Sequence, residues 1–245
     1  MAALSAILLD AGGVLIFPEH DRFLPLLRAA GVDPDLPTLE RAHYLAMAVQ
    51  DAAALVPTQD TWWRDYLMTY LGACGVPEDQ RAALATEVDE GLKGHGWAHV
   101  GIGAIEGLRA LAALGLPMAV VSNSNGTVED DLRRLGICYA ADPKNPENPR
   151  DPAELSGVKV GIVLDSAAVG VAKPDPAIFT MALDALGVPP SRAVLYVGDS
   201  LRYDVAGALA AGLQPVHLDP YGLCPAPDGH PHISRLTDLL ALAAE

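Results

Sequence analysis

Positive charge is scarce in this chain. Of its 245 residues only 16 are Lys or Arg, against 31 Asp or Glu, for a formal net charge of −15. So acidic a chain argues against nucleic acid and against an anionic membrane surface as partners. An anionic substrate would have to be held by local positive charge or by a metal ion, so each basic residue near a site is informative. Cysteine is scarcer still. Cys74, Cys138 and Cys224 lie far apart, are odd in number and form no CxxC pair, which supports neither a disulfide framework nor a zinc knuckle. Long hydrophobic runs are also missing. The N-terminus has no basic n-region and its apolar run stops at Asp10, too short for a signal peptide or a membrane span. Together these absences lead to the expectation of a soluble protein of a reducing cytoplasm, with the oligomeric state left open.

What is present is globular. Hydrophobic residues make up 51% and charged residues 19% of the chain, which is enough to bury a core, and the length fits one large domain or a domain with an accessory unit. Five short apolar runs punctuate it: Ala6–Leu9, Met118–Val121, Val160–Leu164, Ala193–Val197 and Pro215–Leu218. None alternates with polar residues, as expected of strands covered on both faces in a parallel sheet. Helical patterns lie between them. Leu108, Leu111 and Leu114 recur before Gly115, Thr127 and Asp130 read as a capping box for a helix stopping at Gly136, and Asp175-Pro176 opens a helix running to Leu186 with Gly187 after it. The alternation predicts an α/β fold with a doubly wound parallel sheet.

Two stretches depart from it. Residues 18–95 show no strand and four amphipathic helical segments, roughly 20–30, 38–55, 60–73 and 78–92, which predicts a lid-like helical subdomain between a core made of 1–17 and 96–245. Trp62, Trp63 and Tyr66 inside it read as helix packing. In 139–159, prolines at 143, 146, 149 and 152 follow the period of a polyproline II helix. That segment joins a helix to the next strand, away from the ligand edge of such a sheet, and reads as a surface excursion.

The first apolar run ends AILLDAGGVL, an aspartate followed at once by two glycines. A buried carboxylate at a strand end needs a partner or a task. Placing the other polar residues against the strand ends supplies one. Ser122-Asn123 closes the second run, Gly198-Asp199-Ser200 the fourth, and Lys173 follows the third, all at the carboxyl edge where open α/β sheets bind ligands. Two like-charged carboxylates facing each other call for a cation, and hard oxygen ligands suit Mg²⁺. The lysine and the hydroxyl can then bind an anion against that metal, a layout that favours phosphoryl transfer to Asp10.

This constellation resembles the haloacid dehalogenase-like (HAD) superfamily. Its four motifs stand here as Asp10-Ala11-Gly12-Gly13-Val14-Leu15, Val121-Ser122-Asn123, Lys173-Pro174 and Gly198-Asp199-Ser200-Leu201-Arg202-Tyr203-Asp204, the last continuing to Ala211-Gly212. The resemblance covers 1–17 and 96–245, and the helical block at 18–95 corresponds to the family's C1 cap. It implies a Mg²⁺-dependent phosphatase acting on a small-molecule phosphate ester, with Asp10 as the nucleophile that becomes an aspartyl phosphate. Ser122 and the Asn123 backbone would hold phosphate oxygens and Lys173 would neutralise charge. Asp10, the Gly12 carbonyl and Asp199 would hold the metal, with Asp204 ordering water or Lys173 from nearby.

One position departs from the family. Its phosphatases usually carry a second aspartate two residues after the nucleophile, to protonate the leaving alcohol, and here that residue is Gly12. Loss of a general acid costs about 10²–10⁴ in rate. Three readings follow. In a phosphatase, the cap supplies the proton, with Glu19, His20 and His43 as candidates read otherwise as surface residues, or the ester has a good leaving group. A 2-haloacid dehalogenase needs no acid, but its family members carry Ser and Asn where this chain has Asp199 and Leu201. A phosphate-binding HAD protein without turnover is the third. A phosphonatase would need a cap lysine, and 18–95 offers only Lys93.

Overall fold

A computed structural model describes residues 4–54, 62–140 and 156–243. At its centre is β1 (Ala6–Leu9), fully buried along its length. Each face of the strand is covered. Ile7 and Leu9 pack into one apolar layer, Ala6 and Leu8 into the other, which is why the run carries no polar alternation. After the Asp10 turn comes β2 (Ile16–Phe17), and the chain leaves the sheet for α1 (His20–Ala29), α2 (Leu36–Ala54), α3 (Trp62–Ala73) and α4 (Glu78–Gly91). It returns through β3 (His99–Val100), which pairs antiparallel with β2. The helical block is therefore entered and left by one short ribbon. Its helices begin and end within two residues of the segments read from the sequence periodicity, and they close on an apolar cluster of their own, with Phe23, Leu27, Tyr66, Leu67, Tyr70 and Val88 inside.

The remaining elements are α5 (Ala104–Ala112), β4 (Met118–Ser122), α6 (Val128–Arg134), β5 (Cys138–Ala140), β6 (Val158–Val160), β7 (Ile162–Asp165), α7 (Ser166–Val169), α8 (Pro176–Leu186), β8 (Val194–Gly198), a π-helical turn at Leu201–Val205, α9 (Ala206–Ala210), β9 (Gln214–Leu218), β10 (His232–Ile233), a 3₁₀ turn at Leu236–Asp238 and α10 (Leu239–Ala243). Among the described residues, six strands form one sheet in the order β10-β9-β8-β1-β4-β7, parallel throughout. Leu108, Leu111, Leu132, Leu236 and Leu239 cover one face, and Phe179, Ala182, Leu183 and Ala208 the other. Each such side chain contributes roughly 1.5–3 kcal/mol by leaving water. β1 has β4 on one side and β8 on the other, so the chain winds outward from it in both directions. The crevice where the windings part opens at the carboxyl ends of β1, β4 and β8. This is the doubly wound α/β sheet that the apolar runs predict.

Local details differ from the sequence reading. The run Val160–Leu164 is split at Gly161, so that β6 pairs with β5 and only β7 joins the sheet. Leu114 lies beyond the end of α5 and is half exposed. Asp175 caps α8 by accepting from the Ala177 N–H, as its sequence position suggests. The Thr127 capping box does not form. The Thr127 hydroxyl bonds the Asn125 and Asp131 side chains instead, and Asp165, at the end of β7, accepts from the N–H groups of Gly126 and Val128 at 2.9 and 3.3 Å. A cap delivered from a neighbouring strand replaces the local one. The proline run at 143–152 lies outside the described residues. Among those described, no helix is long and apolar enough to cross a membrane.

Candidate active site

Asp10 leaves β1 with its N–H donating to the Val197 carbonyl at 2.8 Å. One carboxylate oxygen accepts from the Ala11 N–H at 2.7 Å, and the other from Lys173 Nζ at 2.7 Å. Lys173 comes from the α7–α8 loop, which Asn123 fastens to the end of β4. The Asn123 amide accepts from the Lys173 N–H at 2.8 Å and donates to its carbonyl at 2.9 Å. That side chain is thus occupied with placing the lysine. The buried ammonium also donates to Asp204 Oδ1 at 2.7 Å and to the Tyr196 hydroxyl at 2.9 Å. Asp204 Oδ2 accepts from the N–H groups of Asp199 and Ser200, at 3.1 and 3.0 Å, so both of its oxygens are committed within the protein. Gly198 makes this approach possible, since a Cβ there would lie 2.2 Å from Asp204 Cγ.

Asp10, Asp199 and Asp204 are all buried and each offers an oxygen within 4.8 Å of the others. Burial pushes the Asp10 carboxyl up to about 7 despite Lys173, and Asp204 and Asp199 add to the push. Burial also works against the Lys173 ammonium, but Asp10 and Asp204 outweigh it and hold its pKa above the ordinary lysine value. Three carboxylates against one ammonium leave the cluster short of positive charge, and its hard oxygen donors fit a divalent cation such as Mg²⁺. The backbone is shaped around the same point. Gly13 has a left-handed φ of 70°, and a Cβ on it would fall 2.2 Å from Asp199 Oδ2 and 2.5 Å from His43 Nε2.

The cluster lies at the floor of a cleft of about 540 Å³ between the sheet edge and the helical block. Gly12 and Ser122 line it from the sheet side, His43, Trp62 and Trp63 from the helical block, and Trp97 from the segment that leads into β3. His43 is not the surface residue the sequence suggests. It is buried on α2, with Nε2 2.7 Å from Asp199 Oδ2 and Nδ1 2.8 Å from the Tyr66 hydroxyl. Glu19 and His20 do not line the cleft. His20 is buried against His99, and burial lowers its pKa to about 3. Trp62 and Trp63 pack on the block's core, as expected, and face the cleft as well. Lys93 also reaches the cleft, but its exposed ammonium is taken by Glu90 at 2.5 Å.

A carboxylate of α2 also ties the block to the sheet edge. Asp51 accepts from the Ser200 hydroxyl at 3.0 Å and from the N–H groups of Leu201 and Arg202 at 2.7 and 3.1 Å. Burial pushes its carboxyl up to about 6 against the pull of those donors.

The family model for haloacid dehalogenase-like hydrolases matches residues 4–212. The chain belongs to this family. Haloacid dehalogenase-like hydrolase domain-containing protein 3 of Mus musculus is 30% identical over 203 residues, covering 80% of this chain and 73% of that one. The phosphoserine phosphatase of Thermus thermophilus is 47% identical over 113 residues, 44% of either chain. A magnesium-bound HAD hydrolase of Bacillus subtilis, YfnB, superposes on 99% of this chain and 100% of its own with a TM-score of 0.59 at 18% identity, a likeness of fold.

Seen as a HAD hydrolase, the chain brings Asp10, Ser122, Asn123, Lys173, Asp199 and Asp204 to one edge. Sequence reasoning missed Asp51, Trp97 and the Tyr196 hydroxyl. Tyr196 sits in an apolar strand run whose odd member was the only signal, and Asp51 is one of two acids in amphipathic α2 and carried none.

Proposed function

We propose that this HAD hydrolase is a Mg²⁺-dependent phosphatase of small phosphate esters, with residues 18–95 as a cap over a core of 1–17 and 96–245. The observation that carries the reading is the buried Asp10 carboxylate sharing one ammonium with Asp204 at the floor of the cleft. The phosphatase among the relatives and the magnesium in the Bacillus subtilis structure support it. Asp10, the Gly12 carbonyl and Asp199 would hold the metal, with Asp204 behind them, and the ion would supply positive charge against the phosphoryl group. Ser122 and the Asn123 N–H hold phosphate oxygens. An Asp10 oxygen attacks phosphorus, the ester oxygen departs, and Lys173 balances the charge that develops. Water then attacks the phosphorus of the aspartyl phosphate, releasing phosphate and restoring Asp10.

Of the three sequence candidates for the leaving oxygen's proton, His43 alone lines the cleft with Asp10, and it serves once its Nε2–H turns from Asp199 to the ester oxygen. His43→Gln keeps an N–H donor for Asp199 but cannot pass a proton. It should lower kcat/KM on alkyl phosphates about 100-fold and on aryl phosphates far less, because aryl oxides depart as anions. Equal losses on both classes would remove the role.

Gly12 has a structural reason. Its φ is not in the left-handed region, but a Cβ there would lie 3.3 Å from the Trp97 ring. The indole stands against the position where family phosphatases usually carry their acid. Gly12→Asp should raise kcat/KM most on alkyl phosphates and flatten the dependence on leaving-group pKa, provided Trp97 yields by a few tenths of an ångström. A parallel fall on every ester in a folded variant would show a site built around the glycine. For the reaction itself, a panel of phosphate esters and 2-chloropropionate is assayed with Mg²⁺ and with EDTA. Metal-dependent phosphate release supports the proposal. Metal-independent chloride release would replace it with a dehalogenase, and neither product would mean binding without turnover.

A further inference from the structure

At the β9–β10 edge of the sheet a second set of metal-ligating side chains converges. The two strands pair with His217 opposite His232, their ring centroids 5.1 Å apart. The connecting loop is folded back by Asp219, whose carboxylate accepts from the N–H groups of Leu223 at 2.7 Å and Cys224 at 3.1 Å. That brings Cys224 and His230 onto the strand histidines. His217 Nδ1 lies 3.3 Å from His230 Nε2, Cys224 Sγ lies 4.0 Å from the same nitrogen, and one ligand atom from each of the four residues is within 4.8 Å of the rest. A tetrahedral zinc with Zn–N near 2.0–2.1 Å and Zn–S near 2.3 Å has N···N edges of about 3.3 Å and N···S edges of about 3.6 Å. The His217–His230 edge already matches, the Cys224–His230 edge at 4.0 Å has to shorten by about 0.4 Å, and the remaining ligand atoms, all within 4.8 Å of one another, close in around the ion.

The outer partners are those that ligating histidines require. His217 Nε2 donates to the Asp199 carbonyl at 3.1 Å, which leaves the lone pair on Nδ1, the nitrogen facing His230. His232 Nδ1 is 3.4 Å from Asp219 Oδ2, while its Nε2 is buried with no hydrogen-bond partner among the described residues. A buried nitrogen of that kind is costly unless something accepts its lone pair.

We propose that His217, Cys224, His230 and His232 bind one Zn²⁺ as a closed structural site that pins the 219–231 loop to β9. Three imidazoles and a thiolate select zinc over magnesium, so the two ions sort between this site and the aspartate cluster by ligand chemistry. The zinc site does not depend on the phosphatase reading. Its ligands escape the sequence signature because only Cys224 is a cysteine and the histidines come from two strands and a loop.

The full chain, stripped with chelator and kept in excess Mg²⁺, is titrated with Co²⁺. The expected result is one equivalent with intense tetrahedral d–d bands and a thiolate-to-cobalt charge-transfer band, displaced by Zn²⁺. Cys224→Ser should abolish the charge-transfer band, and His230→Ala should weaken Co²⁺ binding more than tenfold. A weak octahedral spectrum without a thiolate band, or unchanged affinity in folded variants, overturns the proposal. If the variants do not fold, alkylation of Cys224 in the wild type decides: zinc should slow it at least tenfold, and an unchanged rate overturns the site.

Discussion

Asp10→Asn should lower kcat/KM for p-nitrophenyl phosphate by about 10³-fold or more while leaving the fold intact. The amide matches the carboxylate in shape but not as a nucleophile, so the loss falls on chemistry. Stability should survive, because burial and two neighbouring carboxylates already push the Asp10 carboxyl up to about 7. An amide there removes one of three crowded negative charges at the price of the bond to Lys173. Initial rates and thermal denaturation of the same preparation separate the two effects. A loss within tenfold, in a folded variant, would take the nucleophile's role from Asp10.

Lys173→Met should be the most destabilising change in the site and should cost activity as well. Its ammonium is buried and serves Asp10, Asp204 and Tyr196 together. Removing one partner of a buried ion pair costs about 3–5 kcal/mol, because the remaining charge is left uncompensated. For a chain of this size each kcal/mol moves Tm by about 2–4 °C, so the expected fall is roughly 6–20 °C. Lys173→Met combined with Asp204→Asn should recover part of that loss, since one of the stranded charges goes with it. Mg²⁺ should raise the Tm of Lys173→Met more than that of the wild type, as a second source of positive charge for the same carboxylates. Differential scanning calorimetry with and without Mg²⁺ reads both effects. No change in Tm for the lysine variant would mean that the ammonium is not held as the geometry describes.

The parts of this site that were legible in the sequence are those set by position next to a strand. Asp10, Ser122 and Asp199 each follow a short apolar run, and a parallel sheet delivers such residues to one edge. Lys173 was legible by the same logic, although what holds its loop is Asn123 across two hydrogen bonds. The helical block was legible because amphipathic periodicity is local. What depends on packing between distant segments was not. His43 reads as a surface residue of an amphipathic helix until α2 is laid over Asp199. Thr127 has the right neighbours for a capping box, yet Asp165 arrives from β7 with a better-placed acceptor. β10 is only two residues long and has no apolar run to announce it, and with it the pairing of His217 and His232 stays hidden. Gly12 was legible as a missing acid, but not as the neighbour of Trp97.

The central claim is that Asp10 itself is phosphorylated. Acid-quenching the protein during turnover of p-nitrophenyl phosphate with Mg²⁺, followed by mass spectrometry of the peptide containing Asp10, tests it directly. The account predicts one added phosphoryl group on Asp10, absent with EDTA and absent in Asp10→Asn. Continued phosphate release with no phosphorylated Asp10 at any quench time, or a phosphoryl group on another residue, would contradict it.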